Sequence, residues 1–328
     1  MARQWHYWTK NKLQILGDYV PAFNRASKSR PTRLYLDVMA GQPENVERYT
    51  GEAIHGSPKR VLSAEPGFTH HVFFELPRNA TKLEQALERE FPHQQWQVVP
   101  GDCNVMIAET LAELRSRRLD SVPTFAFIDQ QAAEVRWDTL VKIAHFKGRN
   151  PYTKPELWLL VSPTMVAKGV RGSGAEAFRD RVTRFYGTRN WLNIQDARES
   201  SLLTAPGYRD EMTNLIRYRL VHDLRYRFTQ RIPMRMANGT TIYDMVFATD
   251  HYVGDKIMRH LYRKAAEREP AMMAEAQRLA KMEQERRSGY EGLFPLPLST
   301  RPTVDAGVLW QPTSCWRPSD REWWSERD

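Results

Sequence analysis

Cysteine is scarce in this sequence, whose 328 residues include only Cys103 and Cys315, far apart in the chain. Two thiols cannot build a four-thiolate zinc site or a three-cysteine cluster, and a structural disulfide is unexpected in a reducing cytoplasm. Any iron–sulfur chemistry in which the protein takes part would therefore have to be supplied by another chain.

Long apolar runs are also missing. No segment approaches the roughly 20 apolar residues that span a bilayer, the mean hydropathy is −0.62, and the N-terminus, MARQWHYWTKNK, lacks the apolar core of a secretory signal. We expect a soluble cytoplasmic protein that does not associate with membranes. The sequence contains no Gly-rich Walker loop, G-x-S-x-G elbow or C-x-x-C pair, and it predicts no metal site.

Basic residues are in excess, with a net charge of +9 and a sequence pI of about 9.5. This excess has two interpretations. It either solvates the surface of an ordinary basic protein or attracts a polyanion, for which nucleic acid is the leading candidate.

Five apolar runs follow one another along the chain: RLYLDV (33–38), HVFFEL (71–76), WQVVPGD (96–102), TFAFID (124–129) and ELWLLVS (156–162). Helix-compatible stretches separate most of them, which predicts parallel βαβ units, and the lack of alternation indicates a sheet covered on both faces. Further along, Asn238-Gly239 lies between two strand-like runs and predicts a hairpin, because both residues tolerate positive φ. The prediction is a doubly wound, Rossmann-like α/β sheet of class I methyltransferase type, with five parallel strands, a C-terminal antiparallel hairpin and helical additions.

The remaining chain is expected to surround this core. We predict an N-terminal helix and linker (1–29), the α/β core (30–165), a basic insertion (166–206), the last helix, hairpin and following helix that complete the core (207–266), and a charged helix with a Pro- and Trp-rich tail (267–328). The tryptophans of the tail dock either on the domain or on a partner. One helix is predicted to run from 207 to 230, and Asn79 is predicted to cap the helix after the second strand.

Polar residues and a glycine stand at the ends of successive predicted strands: Asp37, Gly41, Glu75, Asp102 with its neighbour Cys103, and Asp129. In an open α/β sheet, ligands bind beyond the carboxyl ends of the strands, where the strand order reverses. In a methyltransferase-like site, Gly41 would let the backbone approach the cofactor and Glu75 would accept hydrogen bonds from both ribose hydroxyls. Asp102 would accept from an adenine amino group while Cys103 packs on the ring. Asp129 would face the methyl donor and the substrate.

The motifs around these residues resemble those of a known family. LDVMAGQPE, GSP (56–58), FFEL, GDCN (101–104), FAFIDQQAAEVRWDTL and YDMVFATDHYVGDKIM come in an order similar to that of the three-Cys-motif partner (TcmP) family, as does WTKNKLQILGDYVPAF near the N-terminus. The resemblance covers roughly residues 8–266. It implies a methyltransferase-like fold, S-adenosylmethionine as the cofactor, and a radical-SAM-like partner chain that carries a three-cysteine motif.

Two motifs depart from the family pattern. The family loop reads close to F-A-G-P-G, whereas residues 39–43 read MAGQP and lack the second glycine. The family's fourth-strand motif resembles D-P-[FY]-G, whereas residues 129–132 read DQQA. Gln130 and Gln131 cannot stack on a base as an aromatic residue does, although their amides can hydrogen-bond a base edge. We therefore expect an altered site that binds S-adenosylmethionine or a related nucleoside, with Asp129, Gln130 and Gln131 as the catalytic candidates.

Arginines in the second half of the chain are the candidates for nucleic-acid contacts. They are Arg179, Arg181, Arg184, Arg219, Arg225, Arg227 and Arg231. Arginine neutralises phosphates, and neighbouring aromatic residues are able to stack on bases. The alternative is an amphipathic helix whose aromatic residues face inward and whose arginines are solvated.

Three functions stay open. The first is a methyltransferase that acts on DNA or RNA together with the three-Cys-motif partner. The second is a catalytically degenerate subunit that binds nucleic acid or scaffolds its partner. The third, a small-molecule methyltransferase, is disfavoured by the basic charge. Glu75 and Asp102 favour the first function, whereas the altered loop and the DQQA motif favour the second.

Overall fold

The computed structural model describes residues 4–47, 51–148, 153–171, 174–288 and 310–327. The strands are β1 (Gln4–Trp5), β2 (Leu34–Asp37), β3 (Glu44–Glu47), β4 (Ala53–His55), β5 (His70–Glu75), β6 (Trp96–Pro100), β7 (Thr124–Ile128), β8 (Glu156–Val161), β9 (Phe228–Arg235) and β10 (Thr241–Thr249). The helices are α1 (Tyr7–Ala26), α2 (Ser57–Leu62), α3 (Pro77–Glu90), α4 (Cys103–Ser116), α5 (Trp137–Ala144), α6 (Pro163–Gly169), α7 (Ala175–Tyr186), α8 (Trp191–Glu199), α9 (Ala205–His222) and α10 (Tyr252–Ser288).

Seven strands form the main sheet, in the order β6-β5-β2-β7-β8-β10-β9. The first five of these strands pair in parallel, and β10 is antiparallel to both β8 and β9. The chain enters this sheet at β2, continues outward through β5 and β6 to one edge, and then returns to the other side of β2 as β7. The expected doubly wound sheet with five parallel strands and a terminal hairpin is confirmed. Its strand order reverses between β2 and β7.

The predicted hairpin forms, but of the two turn residues Asn238 and Gly239 only the glycine takes a positive φ. Gly239 has a φ of +82°, and the Thr240 N–H donates to Asn238 Oδ1 at 3.1 Å. Since glycine adopts positive φ without a steric penalty, this turn joins β9 and β10 without strain.

Helices cover both faces of the sheet. Buried residues of α1, α2, α3 and α10 pack on one face, and buried residues of α4 to α9 pack on the other. Side chains alternate along each strand, so that Leu34 and Leu36 join one core and Tyr35 joins the other. This double coverage explains why the strands are apolar throughout. A second, smaller sheet of order β1-β3-β4 lies outside this arrangement.

The segment predicted as a basic insertion (166–206) contains α7 and α8, whose Val182, Phe185 and Trp191 are fully buried in the core. Two expectations about the helices need correction. The helix predicted over 207–230 ends at His222, because Arg225 takes a φ of +58° in the turn that leads into β9. Asn79 does not cap α3: the helix begins two residues earlier, at Pro77, with Leu76 in the cap position. Proline favours the first helical position because it has no N–H to satisfy.

Among the described residues, none of the helices combines the length and the apolar character needed to cross a bilayer.

Candidate functional site

A cavity of about 1050 Å³ opens at the carboxyl ends of the parallel strands. It is bordered by the segments that follow β2, β5, β6 and β7, next to the point where the strand order reverses. Its volume lies at the upper end of the range of about 300–1,000 Å³ that is typical of small-molecule sites. Nine of the predicted site residues line it: Gly41, Glu75, Asp102, Cys103, Asp129, Gln130, Gln131, Arg181 and Arg184.

The loop after β2 differs from a glycine-rich loop in a specific way. Gly41 has a φ of +71°, and a Cβ built on it would meet no atom within 4 Å. The hairpin of β3 and β4 then follows where a second glycine would stand, and the chain returns through Gly56 to α2. Gly56 lies so close to the loop that a Cβ there would be 2.3 Å from the Gln42 carbonyl oxygen. The backbone therefore approaches the loop after β2 most closely at Gly56, which follows the inserted hairpin of β3 and β4.

Glu75 ends β5 and holds this loop in place. Its Oε2 accepts from the Gly41 N–H at 2.6 Å, and its Oε1 accepts from the Leu76 N–H and from Asn79 Nδ2. A carboxylate offers about four acceptor positions, so one remains for a ligand hydroxyl. Recognition of both ribose hydroxyls by Glu75 would require one of these protein bonds to open.

Asp102 caps α4, where its Oδ1 accepts from the N–H and the side-chain amide of Asn104. Asn104 in turn bonds the loop after β7, donating to the Glu134 carbonyl and accepting from the Arg136 N–H. Cys103 is buried beside them, and this burial raises the pKa of its thiol to about 12. The thiol is therefore protonated at neutral pH and suits an apolar wall, not a nucleophile or a metal ligand.

Asp129 lies at the end of β7 and forms an ion pair with Lys12. Lys12 belongs to α1 and is only 2% exposed, so the candidate catalytic carboxylate is paired with a buried cation. The sequence analysis did not identify Lys12 as part of the site. The available signal was a lysine on the apolar face of a helix, since Leu16 and Tyr19 follow Lys12 at helical spacings of four and seven.

The two glutamines after Asp129 are placed differently. Gln130 is buried, and its amide donates to the Leu160 carbonyl and accepts from the Val135 N–H. These bonds tie the loop to β8 and leave Gln130 poorly placed to reach a base edge. Gln131 is exposed at the cavity, and its backbone N–H donates to Glu134 Oε2. Glu134, which sequence reasoning also missed, fixes the shape of this loop.

Asp37 does not line the cavity but lies fully buried at the end of β2. Its Oδ2 accepts from the Tyr35 hydroxyl, and burial raises the pKa of the carboxyl to about 7. Its Oδ1 has no hydrogen-bond partner in the described part of the chain. Asp37 therefore belongs to the support of the site and not to its surface.

The charged side chains that line the cavity differ in sign according to their exposure. The partly buried ones, Glu75, Asp129 and Glu134, are acidic. The exposed ones are mostly basic and comprise Arg78, Lys82, Arg136, Arg181 and Arg184, together with the acidic Asp102. The cavity thus has an acidic interior and a basic rim, which suits a cationic ligand inside and an anionic one at the mouth.

The seven arginines predicted to bind nucleic acid do not form one surface. Arg179, Arg181 and Arg184 are exposed on α7, two of them at the cavity. Arg219 pairs with Asp223 and stacks on the Trp137 ring, and Arg231 pairs with Asp210.

Arg225 and Arg227 lie just before β9. Strand β9 runs in the same direction as β8, because both strands are antiparallel to β10. They therefore lie at the amino edge of the sheet, opposite the cavity. The neighbouring Tyr226 is buried and lies outside α9, which ends at His222.

No cluster of three or more His, Cys, Asp or Glu side chains able to hold a metal ion occurs among the residues that the structure describes.

Comparison with known proteins adds little to this description. No protein-family model matches the chain, and no curated protein does. One solved structure to which the chain is similar, "Putative hemolysin from Streptococcus thermophilus", is 11% identical, with a TM-score of 0.34 over 82% of this chain and 76% of that chain. A likeness at that level carries no argument, so the description of the fold rests on the strand order and that of the site on its residues.

Proposed function

We propose that the protein binds S-adenosylmethionine in the cavity and acts as a methyltransferase-like protein in nucleic-acid modification. The observation that carries this proposal is the acidic interior of a cavity at the reversal of strand order. S-adenosylmethionine bears a sulfonium and an ammonium group. Glu75 would stabilise such a cation, whereas the charge of Asp129 is already balanced by Lys12. The resemblance to the TcmP family supports the same ligand.

The residues present fit this cofactor. Glu75 keeps one acceptor position for a ribose hydroxyl, and the open side of Gly41 allows the loop backbone to approach. Asp102 and Cys103 border the part of the cavity beyond β6, where an adenine ring would lie. The bound cofactor would supply an electrophilic methyl group. Asp129, held by Lys12, is placed to accept a hydrogen bond from a substrate amino group and to orient it.

A second candidate function is a binding subunit without methyl transfer. Two observations favour it: the ion pair with Lys12 occupies one oxygen of Asp129, and an inserted hairpin interrupts the loop after Gly41. Transfer of a labelled methyl group to DNA or RNA, measured with and without the partner chain, separates the two functions.

The partner is proposed from the resemblance alone, as a radical-SAM-like chain with a three-cysteine motif. Both cysteines of this protein are free thiols, which suits the reducing cytoplasm in which we propose that it acts.

Calorimetry with S-adenosylmethionine tests the proposed ligand. We expect Glu75→Gln to weaken binding about 10- to 100-fold, because a charge-assisted hydrogen bond contributes roughly 1.5–3 kcal/mol. Glu84→Gln, which alters an exposed carboxylate on α3, is the matched control and should bind like the wild type. S-adenosylhomocysteine, which lacks the sulfonium charge, should bind more weakly than S-adenosylmethionine. Absence of binding by the wild type, alone and with its partner, would refute the proposal.

A further inference from the structure

The mouth of the cavity is surrounded by five exposed basic side chains, which we call the basic rim: Arg78, Lys82, Arg136, Arg181 and Arg184. None of them forms an ion pair with a carboxylate in the described ranges of the chain. Elsewhere, Arg219, Arg231 and Arg235 are each neutralised by an aspartate or a glutamate. The rim is therefore a concentration of uncompensated positive charge, and such charge attracts an anionic ligand.

The rim is built from three separate elements. Arg78 and Lys82 are four residues apart on α3, and Arg181 and Arg184 are three apart on α7, so each pair projects from one face of its helix. Arg136 immediately precedes α5. Only the fold brings these elements together around one opening, and that arrangement suits a ligand with several phosphate groups better than a ligand with one.

We propose that the basic rim binds the phosphates of a single nucleic-acid strand and presents one base of that strand to Asp129 and Gln131. This inference rests on the proposed function for the role of the cavity beneath the rim. A single strand is favoured over a duplex, because a paired and stacked base cannot reach the floor of a cavity. The volume of about 1050 Å³ exceeds what one nucleoside cofactor needs and leaves space for a base.

The test compares two double variants that change the net charge equally. Arg181→Glu with Arg184→Glu alters the rim, and Arg225→Glu with Arg227→Glu alters the opposite edge of the sheet. Binding of a fluorescent single-stranded oligonucleotide is followed by anisotropy at several salt concentrations. The rim variant should bind at least 10-fold more weakly, with a shallower salt dependence, since each lost phosphate contact removes about 0.7 from the slope of log K against log salt. The opposite-edge variant should stay within about threefold of the wild type, because its charges lie at the other edge of the sheet and salt screens distant exposed charges.

Four results would overturn the inference: no oligonucleotide binding at low salt, equal weakening by both double variants, tighter binding of a duplex than of the single strand, or equal competition by a mononucleotide. The last result would assign the rim to a free nucleotide. If the rim variant does not fold, Arg78→Glu with Lys82→Glu on α3 replaces it.

Calorimetry on the same proteins separates this inference from the proposed function. If the wild type binds the oligonucleotide through the basic rim but does not bind S-adenosylmethionine, the inference about the rim is supported and the proposed cofactor is refuted. A wild type that binds S-adenosylmethionine but shows no dependence of oligonucleotide binding on the rim refutes only the inference.

Discussion

Two glycines shape the wall of the cavity for different physical reasons. Gly41 is required by its positive φ, whereas the space around it is open. Gly56 is required by contact, because the Gln42 carbonyl oxygen occupies the position of a Cβ. The first constraint is a conformational cost of about 1–2 kcal/mol for most other residues. The second is a steric clash with the backbone of the loop, which has to shift before a Cβ can be accommodated.

Alanine substitutions should separate these two roles. We expect Gly41→Ala to lower the free energy of unfolding by about 1 kcal/mol and to leave the loop in place. Gly56→Ala should lower it by about 1–3 kcal/mol and should also weaken ligand binding, because relief of the clash moves the loop. Urea denaturation and calorimetry on both variants measure the two effects. If the two variants lost the same stability and the same binding affinity, the assignment of different roles to Gly41 and Gly56 would be contradicted.

Glu156 is a buried carboxyl that accepts hydrogen bonds from Tyr19 and Thr249. Burial raises its pKa to about 7. A group whose pKa is higher in the folded than in the unfolded protein stabilises the fold at low pH. That stabilisation is complete below the unfolded pKa of about 4.3 and is lost as the pH rises through about 7.

Glu156→Gln removes this titration. The difference in free energy of unfolding, wild type minus variant, should therefore fall as the pH rises from about 4.5 to about 7.5, by an amount on the order of a few kcal/mol. Urea denaturation across this range measures it, with the exposed Glu109→Gln as control. A difference that is flat or that rises with pH would show that Glu156 is ionised in the folded protein.

At the scale of elements, the C-terminal segment 310–327 packs on the protein's own helices α8 and α9. Asn214 of α9 makes two hydrogen bonds with the backbone of Trp316, whose indole N–H donates to Glu211. Arg217, only 1% exposed, donates to Thr313. Residues 289–309, which the prediction about the tail also covered, lie outside the described residues.

Deletion of residues 310–328 should therefore destabilise the core. Removing the segment leaves Asn214 and Arg217 without these partners, and each lost partner of a buried polar group costs about 1–3 kcal/mol. Thermal unfolding should show a lower Tm, and a synthetic peptide of the deleted segment should restore part of the loss where a scrambled peptide does not. An unchanged Tm, with a weaker complex on co-purification with the partner, would instead support a tail that binds the partner.

At the scale of the whole molecule, the expected segments are not independent units. Leu16, Tyr19 and Val20 of α1 are completely buried against the sheet, and α1 also supplies Lys12 to the ion pair with Asp129. Removal of residues 1–29 should therefore unfold the α/β core and not release it as a stable domain. Far-UV circular dichroism and tryptophan fluorescence of the intact protein should report one coincident transition. Two separated transitions, or a folded truncated core, would contradict this expectation.

The sequence by itself determined the local features and their order. Apolar runs gave the five parallel strands, Asn238-Gly239 gave the hairpin, and the polar residues after successive strands pointed to the site. The strands and the hairpin are confirmed, because side-chain periodicity and turn chemistry act over a few residues. Parallel strands necessarily bring their carboxyl ends to one edge, which is why most of the predicted site residues line one cavity.

Only the tertiary structure decided which distant residues meet. The pairing of Lys12 with Asp129 joins residues 117 positions apart, the basic rim combines residues of α3 and α7 with Arg136 before α5, and the arginines at 225 and 227 fall on the opposite edge of the sheet. The docking of the tail on α9 is of the same kind. Such contacts follow from the path of the chain through the strand order, which places α1 behind β7 and α7 beside the cavity. No local pattern of residues encodes that path, because the free energy that selects it comes from burying both faces of the whole sheet at once.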